Sequence, residues 1–268
     1  MLSSIDMTIQ STNKANTKIK GKMRATELDV LRGFAILLML VHHFMYDVHY
    51  IFGYPYFSWL FGPAMESIYH LLAYVLFLGV AGVSSSFSRS NLKRSGRLAL
   101  IALSLTLITL LISLIMKSDY YILWQMIHCL ALCTLLYGLF EKTKLNEKTK
   151  IVVLLLTGFF IIFHLPKIIN AFNLHYEGSP LLLPFGIGNL RPEIPGMLDY
   201  LPLIPYSGCF FIGAALGKII YPDGKVQRRY CTGKAFKPLV FMGRHALLIY
   251  AIHQPIIITL IWLWTIIF

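Results

Sequence analysis

Long runs of mainly apolar residues constrain the fold of this chain more than any other feature of its sequence. A helix that crosses a bilayer needs about 20 such residues, and runs of that length recur along the chain. Only 13% of the residues are charged, whereas ordinary soluble domains carry roughly 25%. A soluble fold of this size would leave apolar surface exposed, because even a large domain buries only about 75% of its surface. The sequence therefore predicts an all-α, polytopic helix bundle in a membrane.

The apolar runs predict about seven membrane spans. They cover residues 29–51, 67–88, 97–116, 120–140, 150–166, 202–221 and 239–267. Residues 1–24 are polar and basic, and we expect them to form a disordered cytoplasmic tail ahead of a transmembrane domain at 25–268. The first apolar run is too long for the core of a signal peptide, and no small-residue cleavage site interrupts it. We therefore interpret it as an uncleaved first span.

Lysine and arginine are distributed unevenly between the predicted spans. The basic segments are the N-terminal tail and residues 89–97, 141–150 and 218–238, and the segments poor in these residues are 52–66, 117–119 and 167–201. By the positive-inside rule this alternation predicts a cytoplasmic N-terminus and an external C-terminus. The same basic segments explain the net charge of +12, so no nucleic-acid partner is expected. The apolar, Pro- and Gly-rich 167–201 loop is either a surface loop or a re-entrant segment that caps a cavity.

The first predicted span carries its polar residues on one face. At about 100° per residue, Arg32 and His43 lie within roughly 20° of each other on the helix surface. Asp29 and Asp47 fall within about 60° of the same line, whereas His42 points about 100° away from His43. Charged side chains inside a span are costly and usually mark function. A lone histidine on an apolar helix is more often a packing residue, but a carboxylate one turn away from His43 is typical of an oriented general base.

The last and fourth predicted spans add further polar candidates. Arg244 lies at the start of the last span, and His253, Gln254 and Pro255 lie near its middle. His253 either fills a hydrogen bond freed by Pro255 or belongs to the functional site. The fourth span carries His128.

Small residues in the spans are interpreted as packing features. Glycines permit the close approach of helices in a membrane, and those singled out are Gly79, Gly82, Gly213 and Gly217. The four cysteines have no zinc-type spacing, so neither a metal site nor a disulfide framework is expected.

Five segments in a fixed order resemble one known family. They are Leu28–Gly33, Phe77–Ser85, Met126–His128, Asp199–Pro205 and Gly243–Pro255. Together they resemble the bacterial relatives of heparan-alpha-glucosaminide N-acetyltransferase, over residues 24 to 260, with Ala246 where serine is commoner. The spacing of an arginine, ten residues and a histidine also resembles the membrane acyltransferases of family three. Here that pair is Arg32 and His43.

The resemblance implies a transferase that moves an acetyl group from cytoplasmic acetyl-CoA to an amino or hydroxyl group of an extracytoplasmic glycan. His43 is then the general base, or a transient acetyl carrier, and Asp47 orients it. Arg32 holds phosphate or pantetheine groups of acetyl-CoA, because a guanidinium suits phosphate. The other candidate substrate-binding residues are Asp29, His128, His253, Gln254 and Arg244. Of these, His128, His253 and Gln254 are candidate donors to the oxyanion.

Two other classes of function stay open from the sequence. A channel or small-solute transporter would use the polar face of the first span to line a pore, although no inverted repeat supports this reading. A regulatory or scaffolding membrane protein would tolerate loss of that face. The expected partners of the enzyme are acetyl-CoA, a glycan or amino-sugar acceptor and the lipid bilayer, and a homodimer is left open. We expect an integral multi-pass protein of the cell membrane, if the cell is bacterial.

Overall fold

The computed structural model describes residues 25–117, 121–172, 180–187, 200–226, 230–231 and 233–267. Within these residues it contains helices and turns and no strand, which confirms the all-α prediction. The α-helices in chain order are α1 (Thr26–Tyr46), α2 (Pro63–Tyr74), α3 (Val80–Ser85), α4 (Asn91–Met116), α5 (Met126–Phe140), α6 (Glu147–Phe163), α7 (Leu165–Ala171), α8 (Leu203–Ile220), α9 (Lys237–Arg244) and α10 (Ala246–Ile267). The predicted N-terminal tail lies outside the described residues.

Short non-α segments join or extend several of these helices. π-helical turns continue α1 through Asp47–Ile51 and link α2 to α3 through Val75–Gly79. Short 3₁₀ helices form at Ser58–Phe61, Pro180–Phe185, Pro222–Gly224 and Lys234–Phe236. Of the 167–201 loop, residues 173–179 and 188–199 lie outside the described residues, so its two interpretations stay open.

Several predicted spans differ from the observed helices, among them the fourth and the last. The fourth was expected over residues 120–140, but α5 begins only at Met126, where Gln125 and His128 form a reciprocal capping box. Such a box satisfies backbone N–H groups at a helix start, so the boundary is set by polar residues inside an apolar run. The last predicted span is broken at His245 into the short α9 and the long α10.

The described helices support an integral membrane protein. Four of them are long and apolar enough to cross a bilayer: α1 with its π-helical extension, α4, α8 and α10. The pair α6 and α7, bent by 40°, provides a fifth candidate span. The segment Val75–Ser85 and α5 are apolar but shorter. The helical membrane class is confirmed, whereas the count of seven spans stays a prediction.

Glycines bring α8 against its neighbours in the centre of the bundle. A Cβ built on Gly213 would overlap the backbone of Gly79, and one built on Gly82 would overlap the carbonyl of Phe210. Gly217 is equally close to the backbone of Val83. The prediction that these glycines are close-packing contacts is confirmed.

A second close crossing joins α1 to α9. A Cβ on Gly33 would overlap the carbonyl of Leu239, and a Cβ on Gly243 would overlap the carbonyl of Asp29. The two backbones therefore touch without intervening side chains. This contact carries Arg244, the last residue of α9, to the N-terminal part of α1.

The described parts of two basic segments, 141–150 and 218–226, meet the start of α1 at one end of the bundle. The hydroxyl of Tyr221 donates to Glu27 Oε1 at 2.6 Å, which joins the end of α8 to the start of α1. Burial, together with this bond, raises the pKa of Tyr221, so its hydroxyl remains the donor. Lys218 Nζ lies 2.6 Å from Glu147 Oε2 and 3.0 Å from the Glu141 carboxylate, which joins α8 to the 141–147 turn. The shared end agrees with one side of the membrane for these segments.

We expect the basic end to face the cytoplasm. Lys144→Cys, in the exposed turn between α5 and α6, should resist a membrane-impermeant thiol reagent in intact cells and react after permeabilisation. Trp59→Cys is the matched control at the opposite end, where the native side chain is 62% exposed, and it should react in intact cells. Both variants need a background in which the partly exposed Cys209 and Cys231 are serine. Labelling of Lys144→Cys from outside would contradict the seven-span topology.

Candidate active site

Arg32 is held in place near the start of α1 by contacts from three directions. Its Nη1 donates to Asp29 Oδ1 at 2.8 Å and to the carbonyl of Gly243 at 3.3 Å. Its Nη2 donates to Ser84 Oγ at 3.4 Å. The guanidinium therefore ties α1 to α9 and to the end of α3. Because three partners define the plane of the group, its orientation is fixed before any ligand binds.

Asp29 is fully buried and lies between two arginines. Besides its bond to Arg32, Asp29 Oδ2 lies 3.6 Å from Arg244 Nε. One carboxylate thus holds two guanidinium groups at the same place on the basic end. The structure brings together three of the residues singled out from the sequence, Asp29, Arg32 and Arg244.

A cavity of about 490 Å³ opens beside these residues. Its walls are largely apolar, and its charged lining residues are Arg32, Arg94, Arg97 and Arg244. Within the part of the chain that the structure describes, no aspartate or glutamate lines it. Small-molecule sites commonly have volumes of about 300–1,000 Å³. The cavity therefore suits a ligand with an anionic end and an apolar portion.

Sequence reasoning missed two of the cavity's arginines, Arg94 and Arg97. Both were interpreted only as cytoplasmic loop charges, yet they lie in the first two turns of α4 and line the cavity. Arg94 Nη1 donates to the buried Ser85 Oγ at 3.2 Å, which fixes it against α3. Their spacing of three residues, which places both on one helix face, is the signal that would have identified them.

Two buried histidines lie deeper in the bundle, where α1 meets α10. His43 and His253 are 4% and 6% exposed, and their ring centroids are 4.7 Å apart in an edge-to-face arrangement. His253 lies one turn beyond Tyr250, which lines the cavity. The histidine pair is therefore linked to the cavity wall through Tyr250, whose ring centroid lies 5.7 Å from that of His253.

Asp47 and Gln254 form a second contact between the same two helices. Gln254 Nε2 donates to Asp47 Oδ1 at 2.9 Å and to Oδ2 at 3.1 Å. Its amide nitrogen is thus oriented by a fully buried carboxylate, and its assignment as an oxyanion donor stays a prediction. Asp47 also interacts electrostatically with His43, one turn before it. His253 and Gln254, which are consecutive in α10, thus contact His43 and Asp47 of the first predicted span.

The other histidines singled out from the sequence have different surroundings. His42 stacks on Tyr69, with ring centroids 3.8 Å apart and planes at 8°, so it does face away from the His43 environment. His128 accepts from the backbone N–H of Gln125 at 3.3 Å through Nδ1, and its Nε2 lies 3.1 Å from Thr106 Oγ1. It is not among the described cavity-lining residues. Its assignment as an oxyanion donor stays a prediction, and these contacts do not support it.

The arrangement has the parts that acyl transfer from a charged, extended donor requires. Four arginines, of which Arg32 and Arg94 are oriented by hydrogen bonds, line a largely apolar cavity, and a guanidinium pairs well with phosphate. The buried imidazoles of His43 and His253, the second of which contacts the lining residue Tyr250, have ring nitrogens that can accept a proton. Channels need a continuous polar path, whereas this cavity has mainly apolar walls.

Comparison with known families gives one match. The family described as heparan-alpha-glucosaminide N-acetyltransferase, catalytic, matches residues 24–255. No curated protein and no solved structure matches the chain. The matched range contains every cavity-lining residue and both contacts between α1 and α10.

Proposed function

This chain belongs to the heparan-alpha-glucosaminide N-acetyltransferase catalytic family, and we propose that it transfers an acetyl group from acetyl-CoA to an amino or hydroxyl group of a glycan. The donor binds from the cytoplasm, and the acceptor lies on the other side of the membrane. The observation that carries this proposal is the arginine-lined cavity, with a buried histidine pair in contact with its lining residue Tyr250.

The cavity supports binding of acetyl-CoA with its phosphates at the mouth. Four arginines and no described carboxylate line it, so a polyanion is favoured there. The apolar walls suit the pantetheine arm. Arg32 and His43 are about 16 Å apart along the axis of α1, at 1.5 Å per residue. An extended donor anchored at Arg32 therefore directs its thioester toward the histidine pair.

The chemistry requires proton removal from the acceptor. The acceptor nitrogen or oxygen attacks the thioester carbonyl, the new bond forms, and the carbon–sulfur bond breaks. His43 takes the acceptor's proton, and a positioned base of this kind contributes about 10²–10⁴ in rate. Asp47, bound by Gln254, provides the negative charge that stabilises the imidazolium. Burial excludes water, which would otherwise hydrolyse the thioester.

The position of His43 also supports acceptor binding from the end opposite the basic segments. His43 lies toward the C-terminal end of α1, and the Ser58–Phe61 turn follows at the far end of the bundle from Glu27. A donor admitted at the basic end and an acceptor admitted at the other end meet at the same histidine. In this arrangement the acetyl group crosses the bilayer without an acetylated carrier leaving the protein.

The direct test is acetyl transfer by the purified protein. Acetyl-CoA labelled in its acetyl group is incubated with an oligosaccharide ending in glucosamine and with the same oligosaccharide already N-acetylated. Label in the first alone indicates transfer to nitrogen, and label in both indicates transfer to oxygen. His43→Ala is the matched control. Bound acetyl-CoA with no labelled product from any acceptor in a wider glycan panel would contradict the proposal.

Arg32 should matter for donor affinity more than for turnover. Hydrogen bonds to charged groups are worth about 1.5–3 kcal/mol, so Arg32→Ala should weaken acetyl-CoA binding by about 10- to 100-fold. Arg32→Lys keeps the charge but loses the planar group that reaches Asp29, Gly243 and Ser84 at once, so it should also be impaired. Calorimetric titration with acetyl-CoA measures the effect. Lys93→Ala, an exposed cation outside the cavity, is the control, and wild-type affinity in Arg32→Ala would contradict the assigned role.

A further inference from the structure

The hydrogen bond of His253 defines which of its nitrogens carries the proton. His253 Nδ1 lies 2.7 Å from the carbonyl oxygen of Tyr250. A carbonyl oxygen only accepts, so Nδ1 must be the N–H donor. In the neutral ring the other nitrogen, Nε2, then has a lone pair and is able to accept a proton.

This bond does not repair the helix at Pro255. A proline at position 255 leaves without a donor the carbonyl four residues earlier, that of Ala251. His253 instead bonds to the carbonyl of Tyr250. The sequence left open whether His253 fills the hydrogen bond freed by Pro255 or belongs to the functional site. The observed bond to Tyr250 does not match the first of these interpretations. The bond orients a buried imidazole that lies against His43.

The position of His253 links the histidine pair to the donor cavity. Its ring meets that of His43 at 4.7 Å between centroids and that of Tyr250 at 5.7 Å. Tyr250 lines the cavity, so His253 contacts both a cavity-lining ring and His43. The next residue, Gln254, is fixed by its two bonds to Asp47. The ring is thus restrained both by its own hydrogen bond and by the neighbouring contact.

Resting on the function proposed above, we propose that His253 is a second catalytic residue, which returns the proton to the sulfur of the leaving CoA. The new bond from the acceptor to the acetyl carbon forms as the carbon–sulfur bond breaks, and the electron pair of that bond goes to sulfur. The acceptor's proton passes to His43, then to His253 Nε2, and finally to the sulfur. Both histidines end neutral, as they began, and no oxidant, reductant or further reactant is consumed.

The test uses His253→Asn in the purified full-length chain. Asparagine places an N–H near the position of Nδ1, so it keeps the bond to Tyr250, but it has no atom in place of Nε2. Turnover should fall by about a hundredfold, as for loss of a general acid, while acetyl-CoA affinity measured by calorimetry stays within about twofold of wild type. Added imidazole should restore part of the activity of His253→Gly, in which space for the ring is left. A residue that served packing alone would not respond to imidazole.

Two comparisons make the result decisive. His245→Asn is the matched control, because His245 Nδ1 makes a similar contact, 2.9 Å from the carbonyl of Phe241, but is exposed. It should keep wild-type turnover. Wild-type turnover in His253→Asn, or loss of activity in His253→Gly without rescue by imidazole, overturns the role of His253 and leaves the proposed function intact. If His253→Asn does not bind acetyl-CoA, the same comparison is made with His253→Gln. Absence of transfer by the wild-type chain overturns both proposals.

Discussion

His43→Ala is expected to lower the turnover of acetyl transfer by about a hundredfold or more, the usual range for loss of a general base. The reason is the position of the ring, which is buried and in contact with His253, the histidine whose ring meets the cavity-lining Tyr250. Affinity for acetyl-CoA should change little, because the arginines at the mouth remain. Single-turnover transfer and calorimetric binding, measured on the same folded preparation, separate the two quantities.

The adjacent histidine provides the matched control. His42→Ala removes a ring that stacks on Tyr69, so it should lower turnover less than His43→Ala does. The turnover of Asp47→Asn should lie between those of the two alanine variants, because the charge is lost but the side chain can still accept a hydrogen bond from Gln254. An inactive His42→Ala together with an active His43→Ala would show that both the face assignment and the mechanism are wrong.

Gly213→Ala is expected to destabilise the bundle by about 1–3 kcal/mol, the usual cost of an added group in a filled interior. Its new Cβ would overlap the backbone of Gly79, and a backbone cannot rotate away as a side chain can. The helix α8 and the Val75–Gly79 segment must therefore move apart. The unfolding temperature in detergent, followed by circular dichroism, measures the loss.

Gly96→Ala is the matched control for the same substitution. Gly96 lies in α4, and a Cβ built there meets nothing within 4 Å. It should be neutral or stabilise the helix by up to about 1 kcal/mol, because alanine has the higher helix propensity. Equal unfolding temperatures for the two variants would show that the contact between Gly213 and Gly79 does not limit stability.

The sequence predicted the helical membrane class and the polar face of the first span for clear physical reasons. A bilayer requires long apolar runs, and a charged residue within such a run is retained only where it is paired. Asp29 and Asp47 are fully buried and paired in the structure. Helical periodicity alone was sufficient to place Arg32 and His43 on that face and His42 off it.

The contacts between residues of different helices could not be predicted in the same way. Periodicity describes one helix and contains no information on which helices pack together, so the contact of Gln254 with Asp47 was not expected. Arg94 and Arg97 were interpreted only as evidence for the membrane topology, because basic residues at the ends of spans are common in any membrane protein. The start of α5 was missed because the capping residues Gln125 and His128 lie within an apolar stretch.

The crossing of α1 and α9 fixes the spacing of the backbone on one side of the cavity. Because Gly33 and Gly243 put backbone directly on backbone, no side chain separates the two helices there, and no rotamer change can alter their spacing. For the acetyl-CoA binding proposed above, any widening of the cavity must then come from other lining residues, such as Phe87 and Leu98.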